Sequence, residues 1–514
     1  MERNRKLQFI GLFVILSLLT CFIMPHGDDW LYLNYFNNNW NINRYNWVNN
    51  CIFLPRNFWR PWEDCLGKYV IANFPFLFPY VNHIIITLIH VLCGYFIYKL
   101  CLKFKYKEQI SFYSSIFFVF ATTSMGGLLS VDSIAQVLTT FWGLLSILAF
   151  VSNKKYGKFL WMIFGIFCIL SKESGFIWMV VGPVVGEFIY QKQNKGNFHF
   201  NRVRWLDLVG KILIAIIPII IYFVIYINLS PSTFGGIGMD NNVIEENAKS
   251  FISLDNSYYS YHLTILGFFK NVAVLFLMGI FPVDSSAIYY HSWTILGTTL
   301  LLSIFGLCFI FRSIKIAISR NNYEEVVLLL LITIWISCVS LLTTAGEISP
   351  HPSNAFFAIL LASFFDNCNF RVKYKTLCKI GFGAFIVSTL VVDIHKYYLA
   401  YQAGIVDQKM GEFMKSNTTV VPNKVLSICV RNPQMHKTGA FISNPSYDYS
   451  KGAPVVFAYG CKYPKEMDIV QLEVGKDEPL KQKIDSIVNV SKGKNIYNCI
   501  WIQNEKNLSV INLK

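Results

Sequence analysis

Charge is scarce in this chain. Of 514 residues only 15% are Asp, Glu, Lys or Arg, against 54% hydrophobic and 16% aromatic. Soluble proteins carry roughly a quarter charged residues, so this balance argues against a water-soluble domain. The motifs of soluble nucleotide chemistry are missing as well. There is no GxGxxG turn, no Walker A loop and no GxSxG elbow, which leaves a soluble nucleotide-sugar site without support. No HExxH or H-x-x-x-H pair occurs, and none of the thirteen cysteines forms a CxxC zinc pattern. No nucleic-acid-binding motif accompanies the net charge of +15. Solenoid repeats, heptads and low-complexity tracts are absent.

What the sequence does have is long apolar runs. Residues 7–24 follow the basic start Met-Glu-Arg-Asn-Arg-Lys, and no small-x-small cleavage site follows at Thr20-Cys21-Phe22-Ile23-Met24-Pro25. The run therefore reads as an uncleaved first span with a cytoplasmic N-terminus. Further apolar segments lie at 80–102, 110–129, 134–152, 158–171, 174–190, 207–228, 292–311, 326–344, 354–367 and 379–395. Lys and Arg cluster between alternate segments, at 99–107, 154–158, 192–204, 312–320 and 371–379, as cytoplasmic loops do. Counting 262–282 as a full span would turn the last two clusters outward. It is therefore expected to be a re-entrant or interfacial helix ending near Pro282.

The expected fold is an all-α polytopic membrane bundle of about eleven spans plus that partial helix. The bundle, 1–395, includes a first outer loop at 25–79. A small extracytoplasmic α/β domain is expected at 396–514, from apolar stretches such as 425–430, 454–458 and 496–502 set between Gly-, Pro- and Lys-rich turns. Cys93, Cys101, Cys168, Cys308 and Cys338 lie in apolar runs as small hydrophobes. Cys51 and Cys65 share the outer loop and are available for a disulfide if that loop is outside. Among Cys429, Cys461 and Cys499 of the tail, one pair at most can close.

The polar residues that remain are informative by position. Asp28 and Asp29 emerge where the first span ends. Neighbouring carboxylates perturb one another, so one can serve as a base while the other orients it. Simple solvation at a span end explains the pair equally well. Ser171-Lys172-Glu173-Ser174-Gly175 fills a turn too short to be a loop, and holds a Lys and a Glu on the Asp side. Lys172 is suited to a lipid phosphate, unless it only neutralises Glu173. Arg60, in Arg60-Pro61-Trp62, suits bidentate recognition of phosphate or carboxylate, with Glu63 or Asp64 as the bland partner. His83 and His90, seven apart, share a helix face, and Asp132, Glu347 and His351 sit at outer ends. Together these residues place polar groups on one side of an apolar bundle.

In this arrangement the chain resembles the GT-C superfamily of glycosyltransferases, nearest to protein O-mannosyltransferase, TMTC-type and aminoarabinose-transferase-like members. The resemblance rests on Asp28-Asp29-Trp30-Leu31-Tyr32 after the first span, Arg60-Pro61-Trp62, and Asn82-His83 through His90. Ser171-Lys172-Glu173-Ser174-Gly175 and Phe281-Pro282 complete it. It covers roughly residues 1–395.

It implies an inverting transfer of a sugar from a polyprenyl-phosphate donor to an extracytoplasmic glycan, lipid or protein, by a hexosyl- or pentosyltransferase. Asp28 would be the base, Asp29 the supporting carboxylate, and Lys172 a contact to the donor phosphate. Arg60, His83, Asp132, Glu173, Glu347 and His351 would line the substrate site. The family often has Glu where Asp29 stands, and commonly a basic residue where Glu347 and His351 stand. No cofactor is expected from motifs; some members use a divalent metal, for which this sequence shows no convincing ligand set. The expected location is a bacterial cytoplasmic membrane with the site on the outer, periplasmic face. A lipid-linked glycan transporter or flippase, and a polysaccharide polymerase or ligase, are the alternatives. The first would show inverted repeats, and the second a large loop late in the bundle.

Overall fold

The computed structural model describes residues 2–24, 29, 59–63, 65–66, 77, 79–152, 154–195, 202–229, 265–280, 297, 304, 311, 315, 324–342, 350–367, 372–417, 423–431, 466–473, 480–494, 497–503 and 508–513. Helices dominate. They are α1 Glu2–Thr20, α2 Tyr80–Lys103, α3 Glu108–Phe120, α4 Thr122–Leu129, α5 Ile134–Phe150, α6 Gly157–Ser171, α7 Phe176–Lys195 and α8 Arg202–Leu229. Then come α9 Ile265–Ile280, α10 Glu324–Leu342, α11 His351–Asn367 and α12 Val372–Asn417. A small sheet follows, with β1 Lys424–Arg431, β2 Glu466–Glu473, α13 Leu480–Lys494, β3 Cys499–Gln503 and β4 Leu508–Asn512.

Among the described residues two helices, Tyr80–Lys103 and Val203–Asn228, are long and apolar enough to cross a membrane, and α3 with α4 makes a third if the bent pair is one span. Their environments differ. Over half of α2's apolar window is buried inside the bundle, whereas most of α8's is not. Ile214, Ile217, Ile221 and Val224 of α8 are exposed, as a lipid-facing helix requires. The expected span at 292–311 and the expected strand at 454–458 lie outside the described residues, apart from single helical positions at 297, 304 and 311.

The bundle has two chemically distinct ends. At one, α1 and α3 are joined by Arg5 and Glu108 at 3.2 Å, Arg204 meets Glu187 at 3.0 Å, and Lys192 lies over the Tyr106 ring. This is where the cations gather. At the other end α1 finishes beside the start of α2, with the Thr20 and Thr87 hydroxyls 3.1 Å apart. Here also lie the N-termini of α5, α7 and α11 and the C-termini of α4, α6 and α9. The polarity of the fold is thus a charge gradient along the bundle axis, of the kind the positive-inside rule produces.

Packing between helices relies on small residues opposite large ones. Any Cβ at Gly143 of α5 would overlap the Trp178 ring of α7, and Gly186 of α7 accepts Phe150 of α5 in the same way. Trp178 in turn stacks on Phe356 of α11 and meets Trp335 of α10 edge-on. Close backbone approach at small residues is how membrane helices gain contact where lipid is as apolar as the core.

Helix α12 has 46 residues, about 69 Å at 1.5 Å per residue, and runs unbroken past residue 396, where the composition changes. Phe385 stacks on Phe117 of α3, and Gly404 packs closely on Met24, beyond the end of α1. Its C-terminal part therefore extends past the acidic end and leads to the sheet. Strand order there is β2-β1-β3-β4, with β1 parallel to β2 and β3, and β4 antiparallel to β3. The alternating residues Leu426, Ile428 and Val430 bury one face of β1 against Ile484, Ile487 and Val488 of α13, the period-2 pattern meeting the period-3.6 pattern.

Gly143→Ala should lower the apparent Tm in detergent by the cost of overpacking, about 1–3 kcal/mol. Gly210→Ala, where an added Cβ meets nothing within 4 Å, should change it by less than about 0.5 kcal/mol. A thermal-shift comparison checks both.

Candidate active site

The site is built on the bend between α3 and α4. Ala121 has extended dihedrals of φ −61° and ψ 129°, which ends α3. The chain restarts as α4 at an angle of 49°. Thr122, Thr123 and Ser124 follow, residues whose hydroxyls compete with helical backbone bonds and favour such breaks. At the far end of α4 the chain is extended again at Ser130, and a 3-10 turn, Val131–Ser133, leads into α5.

That second junction holds Asp29. The Asp29 side chain has no exposed surface. Its Oδ1 accepts the Ser130 hydroxyl at 3.0 Å and the Val131 backbone N–H at 2.6 Å. A buried carboxylate must receive donors from the protein in place of water, and the extended Ser130 backbone presents these two side by side. His83 of α2 fixes the same segment, its Nδ1 donating to the Leu128 carbonyl at 2.9 Å.

The Ser171–Gly175 turn lies at the same end. Helix α6 ends at Ser171, Lys172 is extended at φ −161° and ψ 148°, and Glu173–Gly175 forms a 3-10 turn into α7. Gly175 is obligatory in this turn, since a Cβ there would run into the Cys168 carbonyl, a backbone atom that cannot swing aside. Glu173 receives Arg60 in a fork, Nε to Oε1 at 2.8 Å and Nη2 to Oε2 at 3.0 Å, and Arg60 Nη1 also reaches Glu63 Oε2 at 3.4 Å. Both Glu173 oxygens are thus engaged by Arg60. Burial raises the Glu173 pKa, and the charge and hydrogen bonds of Arg60, with Lys172 adding to them, more than reverse this and hold it below its ordinary 4.5.

Aromatic residues seat the Arg60 segment. Trp59 stacks on Tyr222 of α8, whose hydroxyl donates to the Trp59 carbonyl at 3.1 Å. Trp62 stacks on Trp142 of α5 and contacts Phe167 of α6. The Trp59–Glu63 segment is therefore fastened across α5, α6 and α8.

The structure brings Asp29, Arg60, His83, Lys172 and Glu173 to one end of the bundle. Asp28 and Glu347 lie outside the described residues. Asp132 is in the 3-10 turn before α5, and its side chain is likewise outside them. His351 is fully buried. Its Nδ1 is 2.8 Å from the Thr140 hydroxyl and its Nε2 is 3.1 Å from Nδ1 of His90. Asn354, one turn further along α11, grips α4. Its amide oxygen accepts the Thr123 and Ser124 hydroxyls at 2.6 and 2.9 Å, and its nitrogen donates to the Gly279 and Pro350 carbonyls at 3.1 and 3.3 Å. Sequence reading did not single out Asn354, Thr140 or Ser130, whose contacts to Thr123 and Ser124, His351 and Asp29 each span over a hundred residues. Only the His83–His90 spacing pointed into this polar interior. Among the described residues no group of three His, Cys, Asp or Glu side chains is placed to share a metal ion.

A depressed carboxyl contributes stability above its ordinary pKa and loses it as pH falls through the folded value. Wild-type Tm should therefore drop as pH is lowered below about 4.5, and Glu173→Gln should flatten that drop. Arg60→Ala, which leaves a buried carboxylate without its main partner, should cost about 3–5 kcal/mol at neutral pH. Thermal shifts across a pH series check both.

No family model matches the chain, and no curated protein matches it. Among solved structures it is similar to the archaeal oligosaccharyltransferase AglB from Archaeoglobus fulgidus in complex with an inhibitory peptide and a dolichol-phosphate. The TM-score is 0.45 at 13% identity, over 97% of this chain and 69% of that one. The Archaeoglobus fulgidus oligosaccharyltransferase tethered with an acceptor peptide gives a TM-score of 0.40 at 13% identity, over 87% of this chain and 64% of the other. ArnT from Cupriavidus metallidurans bound to undecaprenyl phosphate gives 0.48 at 10% identity, over 98% of this chain and 94% of that one.

Proposed function

We propose that this chain is an inverting glycosyltransferase that moves a sugar from a polyprenyl-phosphate donor to an acceptor on the outer side of the membrane. One observation supports the reading above the others. Asp29, a fully buried carboxylate, is locked at the end of the bundle opposite Arg5, Lys192 and Arg204. Solvation at a span end accounts for an exposed Asp pair, but not for one whose second member is enclosed and bonded.

The roles follow from chemistry. Asp29, held on Ser130 and Val131, anchors the chain after α1. Asp28 takes the proton of the acceptor hydroxyl as its oxygen attacks the anomeric carbon. The bond from that carbon to the donor phosphate breaks on the opposite face, inverting the centre, and the polyprenyl phosphate departs with the electron pair. Lys172 stabilises the charge that develops on the phosphate. Because Glu173 is engaged by Arg60, the turn presents Lys172 in a fixed extended backbone. Arg60 and Glu173 hold the first outer segment rather than touching substrate. A donor reached from within the bilayer needs no nucleotide-binding fold, in keeping with the missing motifs. The 396–514 segment, which continues beyond the same end of the bundle, is an extracytoplasmic domain in this reading.

Asp28→Asn should abolish transfer from a polyprenyl-phosphate sugar in proteoliposomes while leaving membrane insertion intact, and full activity in that variant would sink the assignment. Lys172→Ala should raise the apparent KM for donor more than for acceptor. An unchanged donor KM would remove Lys172 from the phosphate.

A further inference from the structure

Beneath Asp29 lies a buried hydrogen-bonded chain that the transfer chemistry does not use. It runs from Thr140 of α5 through His351 of α11 and His90 of α2 to the Val119 carbonyl of α3, with distances of 2.8, 3.1 and 3.0 Å. Both rings are fully buried, and Phe118 packs against each of them. With the two rings neutral, one proton order alone satisfies both rings and the Val119 carbonyl. The Val119 carbonyl can only accept, so His90 carries its proton on Nε2, and its Nδ1 then accepts. His351 must accordingly donate from Nε2, which makes its Nδ1 an acceptor, so the single Thr140 hydroxyl proton turns to it at 2.8 Å rather than to the Gln136 carbonyl at 3.0 Å. The opposite sense would leave His90 Nε2 and the carbonyl facing each other as two acceptors.

This chain fixes the orientation of the His351 ring, and the ring is part of the bed on which α4 rests. A Cβ added at Gly127 of α4 would touch His351 Cδ2 at 3.4 Å. Three residues along the same face of α11, Asn354 holds the Thr123 and Ser124 hydroxyls. Helix α4 then ends at the Leu128 carbonyl, bonded by His83, and at the Ser130 hydroxyl and Val131 N–H that hold Asp29. We infer that His351 is a positioning residue, locked in one tautomer by Thr140 and His90, that acts through α4 to place the donors of the Asp29 carboxylate. It does not touch substrate. Its importance for transfer rests on the function proposed above, but the placement of α4 does not.

The test uses the full chain in detergent micelles and needs no substrate. Nitrogen NMR of histidine-labelled protein should show both His90 and His351 protonated at Nε2. Hydrogen exchange of the 122–134 segment should accelerate roughly tenfold in His351→Leu and in Thr140→Val, through loss of a buried hydrogen bond. Exchange in the β1–β4 sheet should stay as in wild type, which separates local release of α4 from general destabilisation. His351→Gln keeps a donor towards His90 and should recover most of the protection. Thr140→Val is close in volume and keeps the test decisive where His351→Leu fails to fold. The proposal is overturned by an Nδ1-protonated ring at either histidine, by wild-type exchange in Thr140→Val, or by equal losses in His351→Gln and His351→Leu. Absence of transfer activity in wild type would count against the function alone, since none of these readouts depends on it.

Discussion

A carboxylate with no exposed surface must be solvated by the protein itself. Asp29 is in that position, and the rest of the acidic end is arranged around meeting the requirement. Its two donors, the Ser130 hydroxyl and Val131 N–H, share one short extended junction between α4 and α5. That junction exists because the helical course of α3 breaks at Ala121 and resumes at an angle in α4. A straight helix through 108–129 would have had no such bed beneath it. The polar side chains of Asn354 and His83 are likewise accounted for by α4, since a broken helix exposes backbone groups and hydroxyls that the apolar interior cannot satisfy. The bend, the polar interior and the buried acid are one structural solution.

The Arg60–Glu173 fork is a second constraint on the same end. It joins residues 113 apart in sequence, with side chains 15–17% exposed. Buried ion pairs gain little net stability over apolar packing but are costly to break from one side. Their contribution is therefore geometric: the planar guanidinium meets both carboxylate oxygens in one orientation. Stacked Trp59 and Tyr222, and Trp62 with Trp142, complete the seat. Within the turn, Lys172 keeps an extended backbone beside a glutamate whose two oxygens meet Arg60.

The legibility of the chain follows the range of the interactions. Apolar run lengths and Lys/Arg clusters are local, and they located α1, α2, α5, α6, α8, α10 and α11 to within a few residues. They also placed Asp29, Lys172 and Glu173 on a common side. In the tail, β1 and β3 were marked by β-branched alternation. By contrast β2, with Glu466, Asp468 and Glu473 in its eight residues, and β4, only five long, carried weak apolar signals. The bend at Ala121 is hidden in the sequence because 110–129 is apolar enough overall to read as one run despite Thr122, Thr123 and Ser124, and hydropathy does not register a change of direction. The uninterrupted course of α12 past residue 396 was hidden for the converse reason, since composition changes there while helical bonding does not. Arg60 reads from sequence as a bidentate contact to phosphate or carboxylate, with Glu63 or Asp64 as the bland partner. The Glu63 contact is present, but the fork to Glu173 depends on three-dimensional approach that no spacing rule contains. His351 was expected at an outer end lining the substrate, and its burial against His90 depends on a contact 261 residues away in sequence.

The two ends of the bundle also differ in the kind of electrostatics they use. At the basic end the pairs are partly exposed: Arg5 and Glu108 have side chains 19% and 24% exposed, and Lys107 beside Asp366 is 71% exposed. Pairs of this kind contribute at most about 1 kcal/mol each and are screened by salt. They are poor fasteners, and Lys and Arg at that end matter instead through orientation relative to the membrane. At the acidic end the charges are enclosed, fewer and individually bonded, so each constrains the position of a backbone segment. Partly exposed pairs at one end and enclosed, bonded acids at the other give the two ends of the bundle different structural roles. The exposed residues could be exchanged with modest effect, whereas Asp29, Arg60 and Glu173 could not be moved without moving the elements they join.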